Sequence, residues 1–191
     1  MTLRKAKMGD IPALTALING FARAGSMLPR TEFELSEGIR DFTVALEDDR
    51  IVGCAGLHFY GPTLAEVRSL AVDPSRQKTG AGQALMEALE REAREFDLDA
   101  VFAFTYVPGF FAKMGYHEVE RGDLPLKAWK DCLRCPKFQA CDEIAVLKVL
   151  KPGVSLVHSG LNPGLPSELR PELHAAPIEQ KLIQLSALRR N

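Results

Sequence analysis

Hydrophobic and polar positions alternate weakly over residues 2–7, the pattern of a first edge strand. Asp10 then stands where a helix N-cap is expected, ahead of a helix over Ile11 to Ala24 with Pro12 in its first turn. The loop "GSMLPRTEFEL" feeds a second short helix ending near Gly38. Three runs follow: "DFTVALED", "IVGCAGLHFY" and "LAEVRSLAV", with turn residues between them. Phe42 to Val72 therefore reads as an antiparallel meander. Ala84, Leu85, Ala88, Leu89 and Phe96 recur at three- and four-residue spacing, which predicts an amphipathic helix. "DAVFAFTY" is a buried strand, and strand, helix, strand in that order implies a right-handed crossover and a parallel pair. A short helix over Pro108 to Met114 stops at Gly115, a natural C′ glycine. "YHEVE" and "DEIAVLKVL" read as late strands.

The pattern changes after Lys151. A proline- and glycine-rich arm leads to "PIEQKLIQLSALRR", whose Ile178, Leu182, Leu185 and Leu188 mark a terminal amphipathic helix. Its apolar face needs a surface, on this domain or on another subunit, and a homodimer through the arm is one way to supply it. The organisation expected is a domain over residues 1–150 and an appendage over 151–191.

Composition adds mainly exclusions. The chain has 191 residues, 46% hydrophobic, with a formal net charge of −1. Nothing in that balance suggests a nucleic-acid partner or a membrane surface. No apolar run approaches the ~18 residues a membrane helix needs. The N-terminus lacks the apolar core of a secretory signal, so the expected location is cytoplasmic. Among the four cysteines, Cys132, Cys135 and Cys141 are clustered. With His117 they offer four soft ligands, but a single C-x-x-C is only half a zinc site, and no metal is expected.

The chemistry begins at the bend "DPSRQKTGAGQ". Glycines at a strand-to-helix turn let backbone approach a ligand, and unpaired N–H groups at the helix start favour a phosphate. Read alone, Gly80 and Gly82 fit equally a tight connection that binds nothing. The pattern is neither the G-x-G-x-x-G of dinucleotide folds nor a P-loop. It does match Gln/Arg-x-x-Gly-x-Gly/Ala preceded by "LAVDP", and so resembles the pyrophosphate motif of the GNAT N-acetyltransferases. The order of elements through "GFFAKMGY" agrees, over about residues 2 to 150. The resemblance implies an α/β fold: a mixed, mostly antiparallel sheet flanked by helices. It implies acetyl-CoA held between two splayed parallel strands, Glu66–Val72 and Ala100–Tyr106. The residues it assigns to acetyl-CoA are Leu70, Ala71, Val72, Gln77, Lys78, Thr79, Gly80, Ala81, Gly82 and, as a channel wall, Phe111.

Many members of that family place a tyrosine where this chain has Phe111, and use it to protonate the departing thiolate. A narrower likeness suggests a substitute. "AEVRSLAV", "VFAFT", "FFAKMGY", "DLPLKAW" and "WKDCLRCPKFQACDEIAV" together resemble short N-acetylglutamate synthases, which lack the kinase-like domain of the longer ones. That likeness implies acetyl transfer to the α-amine of L-glutamate, the entry to arginine biosynthesis. It makes Glu66 a base acting through water and Thr105 the proton donor to the thiolate. Arg30 becomes the first contact for the substrate carboxylates, with Arg68, Lys127 and Lys130 as further candidates. A backbone N–H at a strand bulge near Ser69 or Leu70 would hold the oxyanion.

These residue types suit the chemistry. Only a free amine attacks a thioester, and a carboxylate in a partly dry cleft can take the ammonium proton. Arginine grips carboxylates in bidentate geometry. Each residue also has a plainer role open to it: Glu66 as a solvated strand residue, Thr105 as packing, Arg30 as surface. The longer enzymes carry arginine and serine where this chain has "CPKFQACDE", so glutamine or another amine stays open as acceptor. The absent tyrosine keeps a non-catalytic acetyl-CoA sensor open as well.

Overall fold

The computed structural model describes residues 1–124, 133, 135, 137 and 140–151. The arm and terminal helix expected beyond Lys151 lie outside these residues, as do Lys127, Lys130 and Cys132. In chain order the elements are β1 (Thr2–Lys5), α1 (Ile11–Arg23), α2 (Glu32–Glu37), β2 (Phe42–Glu47), β3 (Arg50–Phe59) and β4 (Leu64–Val72). They continue with α3 (Ala81–Glu95), β5 (Ala100–Thr105), α4 (Pro108–Lys113), β6 (His117–Glu118) and β7 (Ile144–Val149). Among the described residues seven strands form one sheet in the order β1-β2-β3-β4-β5-β7-β6. Every neighbouring pair is antiparallel except β4 with β5, which is parallel across the α3 crossover.

Alternation along the strands divides the core in two. Val44, Cys54 and Ala71 face α1 and α2, where they meet Ile11, Leu14, Ile18 and Leu35. Their neighbours in sequence, Ala45 and Ala55, face the other way, toward Leu85, Met86, Leu89 and Ala93 of α3 and Phe111 of α4. Cys54 is fully buried, and burial pushes its thiol up to about 12. It is packing, not a nucleophile.

Two expectations need correction. Asp10 precedes α1 but makes no side-chain cap to it. Its carboxylate accepts from the Lys7 N–H at 2.7 Å and from Arg4 at 2.7 and 2.9 Å, and so ties β1 to the turn before the helix. A charged guanidinium beats a helix amide for the same oxygens because the pair is charge-assisted. The late strand read from "YHEVE" shrinks to His117–Glu118, since it pairs only with Leu147 and Val146 at the sheet edge.

Candidate active site

The site starts where two strands part. Register joins β4 to β5 only at Leu64–Ala100, Ala65–Val101 and Glu66–Phe102. β5 runs on to Thr105 against β7, while β4 runs on to Val72 against β3. Past Glu66 the parallel strands have no register with each other, and a gap opens between them.

A bulge bends β4 away. Cys54 pairs with Ala71 and Gly56 with Arg68, so two steps on β3 oppose three on β4. The extra residue is accommodated at Ser69, which takes a left-handed φ of 49°. Neither Ser69 nor Leu70 has a register partner on β3. A bulge of this kind re-aims the backbone, and here it turns the Ser69–Leu70 segment toward the gap.

At the far end of β4 the chain enters the glycine bend. Gly80, at φ 93°, is the residue before α3, and a Cβ added there would meet nothing within 4 Å. The Gly80 carbonyl accepts from the Ala84 N–H at 2.9 Å, so the helix bonding begins there. The N–H groups of Ala81, Gly82 and Gln83 have no intrahelical partner, and no side chain caps them. Open space at Gly80, next to these donors at the positive end of a 15-residue helix, is the cradle a pyrophosphate fits. The residues present therefore fit acetyl-CoA: an apolar gap for the arm and a donor cradle for the phosphates.

The resulting cleft has a volume of about 740 Å³. Of the residues assigned from sequence it brings together Glu66, Arg68, Thr105, Arg30, Leu70, Val72, Gln77, Lys78, Gly80, Gly82 and Phe111. Three assigned residues do not line it with their side chains. Ala71 is buried under α1, Ala81 is buried at the start of α3, and the Thr79 hydroxyl donates to the Arg76 carbonyl at 2.7 Å. Ala71 and Ala81 can reach a ligand only through backbone.

Glu66 and Arg68 share a face because residues two apart do in a strand. Arg68 Nε donates to Glu66 Oε2 at 2.6 Å in a largely buried pair. The guanidinium also donates to the Tyr60 hydroxyl and lies 5.2 Å from the Tyr60 ring centroid. Thr105 is buried, and its Oγ1 accepts the Val107 N–H at 3.0 Å. That leaves the hydroxyl proton directed elsewhere. Arg30 is anchored through its main chain to the Asn19 side chain, at 2.9 Å in both directions. A second cleft of about 400 Å³ lies beyond, with Glu34, Glu37, Asp41 and His58 in its wall. Arg30 and Arg68 line both clefts.

Sequence reasoning missed Tyr60, Tyr106 and Glu143. The first supports Arg68 from one residue past β3, and the other two line the main cleft. Cys135 and Cys141 are free, and among the described residues no group of three or more metal-ligating side chains exists. No helix among them is long and apolar enough to cross a membrane.

The model of the acetyltransferase (GNAT) family matches residues 16–117. The chain belongs to that family. Its relatives include an uncharacterized N-acetyltransferase, CT2212, of Chlorobaculum tepidum, 42% identical over 78% of this chain and 96% of the relative. The amino-acid acetyltransferase of Mycobacterium tuberculosis is 30% identical over 80% of this chain and 88% of its own. Among solved structures, N-acetylglutamate synthase from Neisseria gonorrhoeae, complexed with coenzyme A and N-acetyl-glutamate, superposes with a TM-score of 0.72 at 28% identity. The match covers 78% of this chain and 35% of that longer one. The GNAT member described here is thus an acetyltransferase with acetyl-CoA as donor, and its mixed sheet flanked by helices is the family's fold.

Proposed function

We propose that this acetyltransferase transfers the acetyl group of acetyl-CoA to the α-amine of L-glutamate, giving N-acetylglutamate and CoA. That reaction opens arginine biosynthesis. The observation that carries the reading is that Glu66 lines the donor cleft together with Arg68, to which it is paired, and Arg30, and that both arginines also line the second cleft. A dicarboxylic acceptor needs cationic contacts beside a base, and guanidinium groups provide them with bidentate geometry. The likeness to the amino-acid acetyltransferase of M. tuberculosis and to the gonococcal synthase supports the same acceptor class.

In this reading the amine nitrogen attacks the acetyl carbon, and Glu66 is a base that acts on that nitrogen through water. The N–H of Leu70, beside the Ser69 bulge, donates to the developing oxyanion. Thr105, which accepts from the Val107 N–H, gives its proton to the departing sulfur and is reprotonated by the second proton that the adduct nitrogen loses on collapse. Help from one such acid or base is typically worth ~10² to 10⁴ in rate.

One observation favours a second acceptor. The second cleft carries Glu34, Glu37 and Asp41, with Asp41 Oδ2 2.7 Å from His58 Nδ1. Carboxylates there disfavour the side chain of glutamate relative to a neutral one, so glutamine is the second reading.

The test is thiol release from acetyl-CoA by the full chain, with each amino acid offered in turn. Release with glutamate supports the first reading and release with glutamine the second. Glu66→Gln should abolish turnover and keep CoA binding. Acetyl-CoA binding without any amine-dependent release would show a sensor and end both.

A further inference from the structure

Acetylating an ammonium ion removes two protons from one nitrogen. The acceptor arrives as R–NH₃⁺ with three N–H bonds, and the amide product keeps one. One proton must leave before nitrogen has a lone pair to attack with. The second leaves as the adduct collapses. Of the two, one ends on the CoA sulfur and the other in solvent. A lone carboxylate has to pass on the first proton before it can accept the second.

Among the described residues two carboxylates, Glu66 and Glu143, line the cleft. Glu143 is the residue before β7, next to the Thr105–Ile144 register pair that closes β5 against β7. Its side chain lines the same cleft as Glu66, Thr105 and Tyr106. Its main chain is clamped, because the Arg121 guanidinium donates to the Glu143 carbonyl and, at 3.2 Å, to that of Cys141. Among the described residues its carboxylate accepts one hydrogen bond, from the Cys141 thiol 3.8 Å from Oε2. Glu66, by contrast, commits Oε2 to Arg68 at 2.6 Å. Among the described residues the charged and titratable groups facing Glu143 are Arg121, Cys141, Asp142, Glu66 on β4 and Tyr106 at the end of β5. Burial raises the Glu143 carboxyl above its ordinary range. Arg121 and the Cys141 thiol oppose that, while Glu66 and Asp142 add to it. A carboxylate so raised is a better proton acceptor from an ammonium than an ordinary one.

We propose that Glu143 is the group that takes the first proton, from the ammonium of the incoming acceptor, and leaves Glu66 for the second. The inference rests on the reading of this cleft as an amine-acetylating site. Glu143 becomes a carboxylic acid, the neutral amine attacks the acetyl carbon, and Glu143 returns its proton to solvent between turnovers.

The experiment is kcat/KM against pH for the wild type, Glu143→Gln and Glu66→Gln, using whichever amine the wild type acetylates. A group that deprotonates the ammonium is needed only below the acceptor's own pKa. Glu143→Gln should therefore lose ~10²-fold below that pKa and recover to within a few-fold above it, where the acceptor arrives as free amine. Glu66→Gln should stay depressed throughout. CoA affinity should match the wild type in both. A deficit for Glu143→Gln that is the same at every pH, or no deficit, overturns the proposal. Glu143→Asp is read alongside, in case the amide variant does not fold. It should show a smaller deficit confined to the same low-pH range, and an unchanged profile overturns the proposal equally. A wild type silent with every amine sinks the site reading and this inference together. Turnover with parallel wild-type and Glu143→Gln profiles sinks this inference alone.

Discussion

Gly80→Ala separates the cradle from a mere turn. Gly80 has φ 93° and ψ −5°, a left-handed conformation that costs an L-residue about 1–2 kcal/mol. The new Cβ meets nothing within 4 Å, so no clash adds to that strain. Alanine also reduces the freedom of the unfolded chain, which returns about 0.4–1 kcal/mol. The net loss is about 1 kcal/mol, or roughly 2–4 °C in Tm for a domain of this size. Gly80 lines the cleft together with Gly82 and Gln83, so the methyl is added beside the helix-start N–H groups. If phosphate sits there, CoA affinity should fall by about tenfold or more, since 1.4 kcal/mol is one decade. Calorimetric titration of CoA and a thermal melt read the two effects separately. Gly115→Ala is the control for strain, because its φ is 83° and its Cβ meets only the Lys148 side chain, at 3.6 Å. It should melt about as early and bind CoA like the wild type. Gly80→Ala with lowered Tm and wild-type CoA affinity would refute the cradle, and Gly80 would be only a turn former.

Thr105→Val keeps the β-branched shape and removes the hydroxyl that accepts the Val107 N–H. Stability should fall by about 1 kcal/mol in urea melts, and kcat should fall at least ~10-fold if the hydroxyl serves the sulfur. A stability loss with unchanged kcat assigns Thr105 to packing alone. Glu90→Gln breaks the buried pair with Lys148 Nζ at 2.7 Å and should lower the urea midpoint by the equivalent of about 2 kcal/mol, with CoA affinity unchanged. The figure sits below that for a fully buried pair because Lys148 is partly exposed and also donates to the Met114 carbonyl. Asp10 is held below the ordinary carboxylate range, first by hydrogen bonds from Arg4. A lowered folded-state pKa gives stability that is present above the unfolded value, about 3.9, and is lost as pH falls through the folded one. Asp10→Asn should therefore destabilise at pH 7 and flatten the acid limb of the stability profile. Equal acid limbs for the two proteins would contradict this.

What was legible in the sequence is what period and glycine encode. The meander, the crossover helix and the bend each follow from a local pattern. The gap between β4 and β5 and the part given to Glu66 came instead from the likeness to the GNAT acetyltransferases and the N-acetylglutamate synthases, since period alone places Glu66 only on a strand. Glu143 was not legible, since an acid just before a late strand looks like a solvated strand end. The available signal was "CDEIAV", an acidic residue entering a buried strand, but only the pairing of β7 with β5 turns it toward the cleft. Tyr60 was hidden for a similar reason. It sits past the end of β3 and reaches Arg68 only because its N–H pairs back to the Leu64 carbonyl at 2.9 Å. Asp10 was misread because spacing shows a cap position but not a competing guanidinium.

The departure at Phe111 follows from the same interplay of packing and chemistry. Phe111 is buried, with edge-to-face contacts to Phe110 at 5.4 Å and to Tyr116 at 5.3 Å between ring centroids. That cluster already contains a buried hydroxyl without a hydrogen-bond partner, on Tyr116. A second phenol at position 111 would need either a partner in the core or an outlet to the cleft, and an unpaired one costs about 1–3 kcal/mol. Phenylalanine avoids that cost and keeps the wall apolar, but it has no proton to give. In the proposed mechanism the donor is instead a residue of the sheet. Thr105 is that residue: β5 pairs with β7 up to it, and the Val107 N–H occupies one hydroxyl lone pair so that the proton points away from it. Loss of the family's usual tyrosine is therefore compatible with catalysis here, provided that Thr105 lies within reach of the sulfur, which is what its valine variant tests.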